Sequence, residues 1–292
     1  MLSFVIPAHN EELYIDACLR AILKSIGEKK GIEIIVVDNA STDRTKDVVK
    51  KYPQVKLIDE PKKGTNQARQ TGLSAASGEL VAHIDADSLP TREWLERVLK
   101  EFEKNPRLVC ISGPYIYYDL PSSVNVLVKI FYSFLYLFHL TTNLIANRTT
   151  FLIGGNFVVR KAAVIKMGGY NTEITFYGDD ADIAKRLSSL GKIKFILKLR
   201  VLSSGRRLAT EGITTTTLRY VFNYFWITLF NKPFTRTSVA TRPAPKNDRL
   251  KFLAKTKRKD FLIAFFLFFG LLLLITLIIY FTHRNAFSVL GF

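Results

Sequence analysis

Short apolar runs alternate with longer amphipathic stretches through the first third of the chain. Leu2–Ile6, Ile32–Val37, Val55–Ile58 and Glu79–Ile84 are too short for helices and end at Pro or Asp, as buried strands do. Between them lie stretches with helical spacing. Glu11 to about Lys29 carries Leu13, Ala17, Cys18, Ala21, Ile22 and Ile26 at that period. The polar run Asn39–Asp43 supplies helix-capping residues before a helix reaching about Tyr52, and Gly64–Ala76 predicts a third helix. Strands alternating with helices predict an α/β fold, a mostly parallel sheet covered on both faces. Ligands of such sheets sit at the carboxyl ends of strands, where Pro7, Asp38 and Asp85 fall.

Further along, Thr91–Asn105 predicts an amphipathic helix and Leu108–Tyr117 a strand. Val124–Ile145 is rich in Leu, Phe and Tyr but contains Lys129 and His139, so it reads as an interfacial helix or helical hairpin at a membrane surface, not a crossing. Phe151–Arg160 returns to strand character. Asp179, Asp180 and Asp182 open a helix carrying Ile183, Leu187 and Leu190. Leu218–Phe230 is aromatic and apolar, and Lys232–Pro245 reads as a linker. Phe261–Phe281 is uncharged, and its 21 residues reach about 31 Å at ~1.5 Å each, enough to span a bilayer. These segments predict a catalytic domain over 1–217 with a membrane-interfacial insertion at 124–146. An aromatic and basic stretch over 218–260, a transmembrane helix over 261–281 and a tail over 282–292 follow.

Charge sharpens this picture. The chain has 292 residues and a formal net charge of +17, which favours an anionic partner. Eight Lys or Arg against two Asp lie between Arg242 and Asp260, beside the apolar span. Nucleic acid is thereby disfavoured as the partner, because the basic excess clusters at a membrane boundary. The positive-inside bias predicts a single-pass protein with a C-terminal anchor and a cytoplasmic catalytic domain. Cys18 and Cys110 sit inside apolar patterns and read as buried thiols. The start Met-Leu-Ser-Phe-Val-Ile-Pro lacks the basic n-region of a signal peptide.

Candidate chemistry gathers at the acidic turns. In Ala82–Ser88, Asp85 and Asp87 share one face if the strand continues to Asp87, and small Ala86 leaves room for another molecule. Such an Asp-x-Asp either ends a strand or supplies oxygen ligands for Mg²⁺ or Mn²⁺ carrying nucleotide phosphates. Asp38 is a possible acceptor for a base N–H or ribose hydroxyl, or an Asx turn. Arg206 and Arg207 follow a Ser-Gly turn, where two guanidiniums could clamp a pyrophosphate.

Three blocks, Val5-Ile-Pro-Ala-His-Asn-Glu-Glu12, Val36-Val-Asp-Asn-Ala-Ser-Thr-Asp43 and His83-Ile-Asp-Ala-Asp87, resemble in order and spacing the nucleotide-binding blocks of family 2 glycosyltransferases. The resemblance implies a GT-A fold and transfer of a sugar from a nucleotide-diphosphate donor with inversion. It implies that Pro7, Ala8, His9 and Glu11 line the nucleoside pocket and that Asp38 contacts the base. Asp85 and Ala86 would face the ribose or sugar, Asp87 would hold the metal with Asp85, and Gly64 and Arg69 would lie beside the donor. Gly155 and Asn156 match an acceptor segment. Asp180 matches the general base, with Asp179 before it where many relatives carry Glu. The Gln-x-x-Arg-Trp block of processive synthases is absent. These features predict a metal-dependent enzyme acting on a lipid phosphate or lipid-linked glycan. The alternative is a non-catalytic, membrane-tethered nucleotide-sugar binder.

Overall fold

The computed structural model describes residues 1–146, 152–174, 177–235 and Gly270. In chain order come β1 (Leu2–Ala8), α1 (Ile15–Ile26), β2 (Ile32–Asp38), α2 (Thr45–Val49), β3 (Val55–Asp59), α3 (Thr65–Ala75) and β4 (Leu80–Ile84). Then follow β5 (Ser88–Leu89), α4 (Arg92–Lys104), β6 (Leu108–Ser112), β7 (Tyr115–Tyr117) and α5 (Ser122–Ala146). The remaining elements are β8 (Asn156–Arg160), α6 (Lys161–Lys166), α7 (Asp179–Leu187), β9 (Lys192–Phe195), β10 (Val201–Ser203), α8 (Arg206–Glu211) and α9 (Ile213–Phe230).

Seven strands form the main sheet in the order β3-β2-β1-β4-β8-β6-β9. All neighbours run parallel except β8, which is antiparallel to both β4 and β6. Successive residues of a strand face opposite sides, and both sides are covered here, so the strands read as continuous apolar runs. Phe4, Ile6, Val36 and Ala82 pack on one face against Leu19, Ile22, Trp94 and Val98. Val5, Val37, Val81 and Phe157 pack on the other against Ala68, Leu73, Val164 and Leu187. Cys18 and Cys110 are buried free thiols, as their apolar surroundings predict. Thr91 starts α4 by accepting the Trp94 N–H at 3.2 Å, the capping bond its position predicts.

Local pattern fails at a few points. The expected strand Leu108–Tyr117 breaks at Gly113-Pro114, and β7 leaves for a second sheet ordered β5-β10-β7. A Cβ at Gly113 would lie 2.1 Å from the Leu199 carbonyl oxygen, so a bare backbone is needed where the chains cross. The expected strand from Phe151 begins only at Asn156. Of the two readings for 124–145, a single helix and not a hairpin is found, spanning Ser122–Ala146. The boundary expected at 217 falls inside α9.

Among the described residues no helix is long and apolar enough to cross a membrane. The predicted transmembrane helix 261–281, the basic run Lys251–Lys259 and the tail 282–292 lie outside the described residues. Both α5 and α9 expose large apolar side chains, among them Leu137 at 55%, Phe222 at 45% and Phe230 at 54%.

Candidate active site

The loops after β1 and β2 interlock at the carboxyl edge of the sheet. Asn10 and Ala40 both adopt left-handed backbone with φ of 57°. This conformation is uncommon outside glycine, and such residues cluster at functional sites. It lets the Asn10 N–H donate to Ser41 Oγ at 3.0 Å while Asn10 Oδ1 accepts the Thr42 N–H at 2.8 Å. Ala8 is buried, Pro7 half-buried and His9 exposed, with His9 Nδ1 2.7 Å from the Asn39 carbonyl. Asp38 is buried, and its Oδ2 accepts the Ser41 N–H at 3.2 Å and lies 3.7 Å from Lys46 Nζ. Its Oδ1 is buried without a hydrogen-bond partner. A lone buried acceptor of this kind costs about 1–3 kcal/mol unless a ligand donates to it.

Asn39 ties this edge to the next loop. Its amide donates to the carbonyls of Glu60 at 3.1 Å and Lys62 at 2.8 Å, and its oxygen accepts the Gly64 N–H at 2.8 Å. Gly64 enters α3 with φ of 145°, which a side chain would resist. The Asp38 edge and the Gly64 loop are therefore tied together by Asn39, a residue the sequence reading did not single out.

Asp85 and Asp87 meet by a different route from the one predicted. β4 stops at Ile84, and a turn closed by Ser88 N–H to Asp85 O at 3.0 Å carries both carboxylates. Strand alternation is not what aligns them. Tyr115 donates to Asp85 Oδ2 at 2.9 Å, and Ala86 is buried. Asp87 is also buried, with Oδ2 3.2 Å from Arg206 Nη2. Arg206 forks onto Glu11 at 2.9 and 2.5 Å and lies 4.5 Å over the ring of Tyr14. Asp119 fixes the turn before it by accepting from Ser204 Oγ at 2.6 Å and Gly205 N–H at 2.7 Å. Burial pushes the Asp87 carboxyl up to about 7; Arg206 opposes this, and Glu11, Asp85 and Asp119 add to it. Burial raises Glu11 as well, against the pull of Arg206.

The predicted pair of clamping arginines is not a pair. Arg206 turns to the carboxylates, while Arg207 turns away and donates to Tyr177 Oη at 3.2 Å. Successive residues of a helix point about 100° apart, and α8 begins at Arg206.

The second acidic cluster opens α7. Arg69, buried and far from solvent, pairs with Asp179 and donates to the Gly154 carbonyl at 2.7 Å and Asn66 Oδ1 at 3.2 Å. Asp180 is half-buried, and its Oδ1 accepts the Ala181 N–H at 2.8 Å. Burial, then the charge of Asp179, lift the Asp180 carboxyl to about 7; the Ala181 N–H and Arg69 pull the other way.

Two glycines join the clusters. A Cβ on Gly154 would come 3.7 Å from both Asp179 Oδ2 and the Asp180 Cβ. On Gly155 it would come 1.9 Å from Asp85 Oδ2 and 2.2 Å from Tyr115 Oη. Asp85, just after β4, and Asp179 and Asp180, at the start of α7, thus lie against one Gly-Gly step. Asn156, expected beside an acceptor, is fully buried: its amide donates to the Gly113 and Leu199 carbonyls at 2.9 and 2.8 Å, and its oxygen accepts from Trp94 Nε1 at 2.9 Å. That carboxamide braces β8, and Gly155 is the residue of the pair that lies against the Asp85 carboxylate. Gly155→Ala is expected to destabilise the protein by about 1–3 kcal/mol through overpacking and to weaken donor binding, read by thermal melting and calorimetry.

A family model described as glycosyl transferase family 2 matches residues 3–168, which contain the three acidic blocks, Arg69 and Gly155. The chain belongs to glycosyltransferase family 2. This glycosyltransferase is 36% identical over 101 residues to Glycosyltransferase AglE of Haloferax volcanii, a match covering 33% of each chain. It is 25% identical over 205 residues to the probable glycosyltransferase YdaM of Bacillus subtilis, covering 65% of this chain and 47% of the other. The matched region thus spans a third to a half of those relatives. Among solved structures, the mannosyltransferase PcManGT from Pyrobaculum calidifontis, in complex with GDP-Man and Mn²⁺, aligns with a TM-score of 0.56 at 21% identity, over 75% of this chain and 64% of that one. S. aureus TarS 1-349 in complex with UDP-GlcNAc aligns with a TM-score of 0.55 at 16% identity, over 93% and 81%. At these identities the likeness is one of fold.

In this glycosyltransferase the structure also brings to the carboxylates and Arg206 residues that sequence reading missed. Tyr115 orients Asp85, Asp119 sets the turn that presents Arg206, and Tyr14 carries its guanidinium. Each acts across a long stretch of chain, so no local spacing announces it.

Proposed function

We propose that the protein moves a sugar, with inversion, from a nucleotide-diphosphate sugar to a membrane-associated acceptor, with Asp180 as general base. The observation that carries this reading is the Gly154-Gly155 step, with Asp85 on one side and Asp180 on the other. A donor bound along Asp38 and Asp85 would then present its anomeric carbon toward Asp180. The acceptor hydroxyl gives its proton to the Asp180 carboxylate as its oxygen bonds to that carbon. The bond from carbon to the donor diphosphate breaks, and its electron pair leaves with the diphosphate. Arg206 is positioned to meet the charge that develops there.

Asp38 Oδ1, lacking a donor within the protein, suits a base N–H. Asp85 and Asp87 offer carboxylate oxygens, the hard ligands of a divalent cation shared with phosphates, while among the described residues no group of three acidic, His or Cys side chains gathers to hold an ion by itself. Asp87 and Asp85 would hold Mg²⁺ or Mn²⁺, which supplies charge neutralisation of the departing diphosphate. PcManGT, which is bound to GDP-Man and Mn²⁺, has the same fold. The exposed apolar residues of α5 and α9 support an acceptor met at a membrane. The apolar, uncharged stretch 261–281 supports a C-terminal anchor with the catalytic domain on the cytoplasmic side.

The test is calorimetry and donor hydrolysis in detergent with UDP-, GDP- and dTDP-sugars, with Mn²⁺ or Mg²⁺. One nucleotide class is expected to bind, and Asp38→Ala is expected to weaken it by about tenfold, the worth of a hydrogen bond to a charged group. Failure of every nucleotide to bind would remove the proposal.

A further inference from the structure

Three residues on one face of α3 grip the segments that carry the second acidic cluster. Asn66, Arg69 and Gln70 stand at i, i+3 and i+4, so they point to the same side of the helix. Asn66 Nδ2 donates to the Asn171 carbonyl at 3.0 Å, and Gln70 Oε1 accepts the Tyr170 N–H at 2.9 Å. A Cβ on Gly169 would come 2.6 Å from that same Gln70 oxygen, so the loop before α7 sits flush on the helix. The hydroxyl of Tyr170 lies 2.6 Å from His83 Nε2, which pins the loop to β4 as well.

The guanidinium of Arg69 reaches two separate segments at once. Nη1 pairs with Asp179 at the start of α7, and Nη2 donates at 2.7 Å to the carbonyl of Gly154, just before β8. Asn66 Oδ1 accepts from Nη1 at 3.2 Å, and the centre of the Phe157 ring lies 5.6 Å from Cζ. The side chain is only 3% exposed. None of these partners belongs to the Asp38 edge, although the resemblance to the family sets Arg69 beside the donor.

A buried ion pair adds little net stability over apolar side chains of similar volume. Placement is what this one supplies. Asp180 follows Asp179 directly, and its Cβ would stand 3.7 Å from a Cβ on Gly154. A fork that holds both Asp179 and the Gly154 carbonyl therefore sets how closely the Asp180 carboxyl meets the Gly-Gly step.

We propose that Arg69 is a positioning residue for sugar transfer, acting through Asp179 and the Gly154 carbonyl to hold Asp180 at the Gly154-Gly155 step. Asn66 and Gln70 seat the loop that leads into α7. The role rests on the reading of Asp180 as general base, and it gives Arg69 no contact with the donor.

The test uses the full chain in detergent with Mn²⁺ and UDP-glucose, GDP-mannose or dTDP-glucose. Calorimetry reads donor affinity, and hydrolysis reads turnover. Arg69→Gln is expected to lower turnover by about 10²-fold, the effect of a displacement of about 1 Å, with donor affinity unchanged. Arg69→Lys keeps the charge but cannot span both partners, so its turnover should lie between. In an Asp179→Asn background, Arg69→Gln should cost little further, because both changes break one contact. Donor affinity that falls while turnover holds overturns the role. So do losses that multiply in the double variant, or wild-type turnover in a folded Arg69→Lys. Where Arg69→Gln does not fold, or the wild type hydrolyses none of these donors, amide hydrogen exchange in Arg69→Lys decides. The amides of Asn156 and Asp182, bonded to the Ile153 and Gly178 carbonyls, should exchange faster than in wild type, and that of Asn39 at the wild-type rate. Unchanged exchange at Asn156 and Asp182, or faster exchange at Asn39 as well, overturns the clamp. Failure of the wild type to bind any nucleotide strikes the glycosyltransfer reading instead, and the exchange result then still decides whether Arg69 joins the two segments.

Discussion

Asp180→Asn is expected to lower turnover by roughly 10²–10⁴-fold, the range general bases supply, while nucleotide binding holds. The amide keeps the shape of the side chain but cannot take a proton. The pH profile carries the same signature. With its carboxyl lifted to about 7, Asp180 is protonated and idle below that pH. The wild-type rate should therefore climb about tenfold per pH unit below 7 and level off above it, whereas the residual rate of the variant should stay flat. Stability separates this outcome from misfolding. A carboxyl whose folded pKa lies above its unfolded value makes the fold lose stability as pH rises from the unfolded to the folded pKa. Asp180 is such a group, raised first by burial and then by the charge of Asp179, so Asp180→Asn should melt no lower than wild type at pH 8. Near-wild-type turnover would remove Asp180 as the base.

The two acidic clusters were readable from sequence because each is local. Asp85 and Asp87 end one apolar run, and Asp179 and Asp180 open one amphipathic helix, so a window of ten residues contains the signal. The alternation of short apolar runs and helical stretches likewise carried the parallel half of the sheet. What joins these pieces was not readable. Strand β8 runs against β4 and β6, and its Asn156 side chain ties together the carbonyls of Gly113 and Leu199 and the indole of Trp94, none of them near it in sequence. The break at Gly113-Pro114 answers to the backbone of Leu199, which only the folded chain brings close. Arg206 and Arg207 looked alike as neighbours after a turn. Their partners, Glu11 and Tyr177, are different and lie far away along the chain.

Arg206 gives the second large effect, because it is the counter-charge for a buried acidic group. Its guanidinium links Glu11, at 13% side-chain exposure, to Asp87, at 11%, with 12% of its own. Removing one member of a buried ion network strands the others, which costs about 3–5 kcal/mol, or roughly 6–20 °C in melting temperature for a domain of this size. Arg206→Ala is expected to show that loss, and pH should shape it. Glu11 and Asp87 are already raised by burial, and without Arg206 both must rise further. Their charged forms then burden the fold, so stability falls as pH increases through the raised values. The gap from wild type should be small near pH 4, where both carboxyls are protonated, and widest above pH 7. Arg206→Lys restores one charge but not the fork onto Glu11, so it should recover only part of the gap. A divalent cation offers a further discriminator. With the guanidinium gone, Glu11 and Asp87 lose their shared counter-charge, and Mn²⁺ alone should raise the melting temperature of Arg206→Ala more than that of wild type. A variant that melts like wild type at every pH would show that Arg206 does not hold this acidic group together.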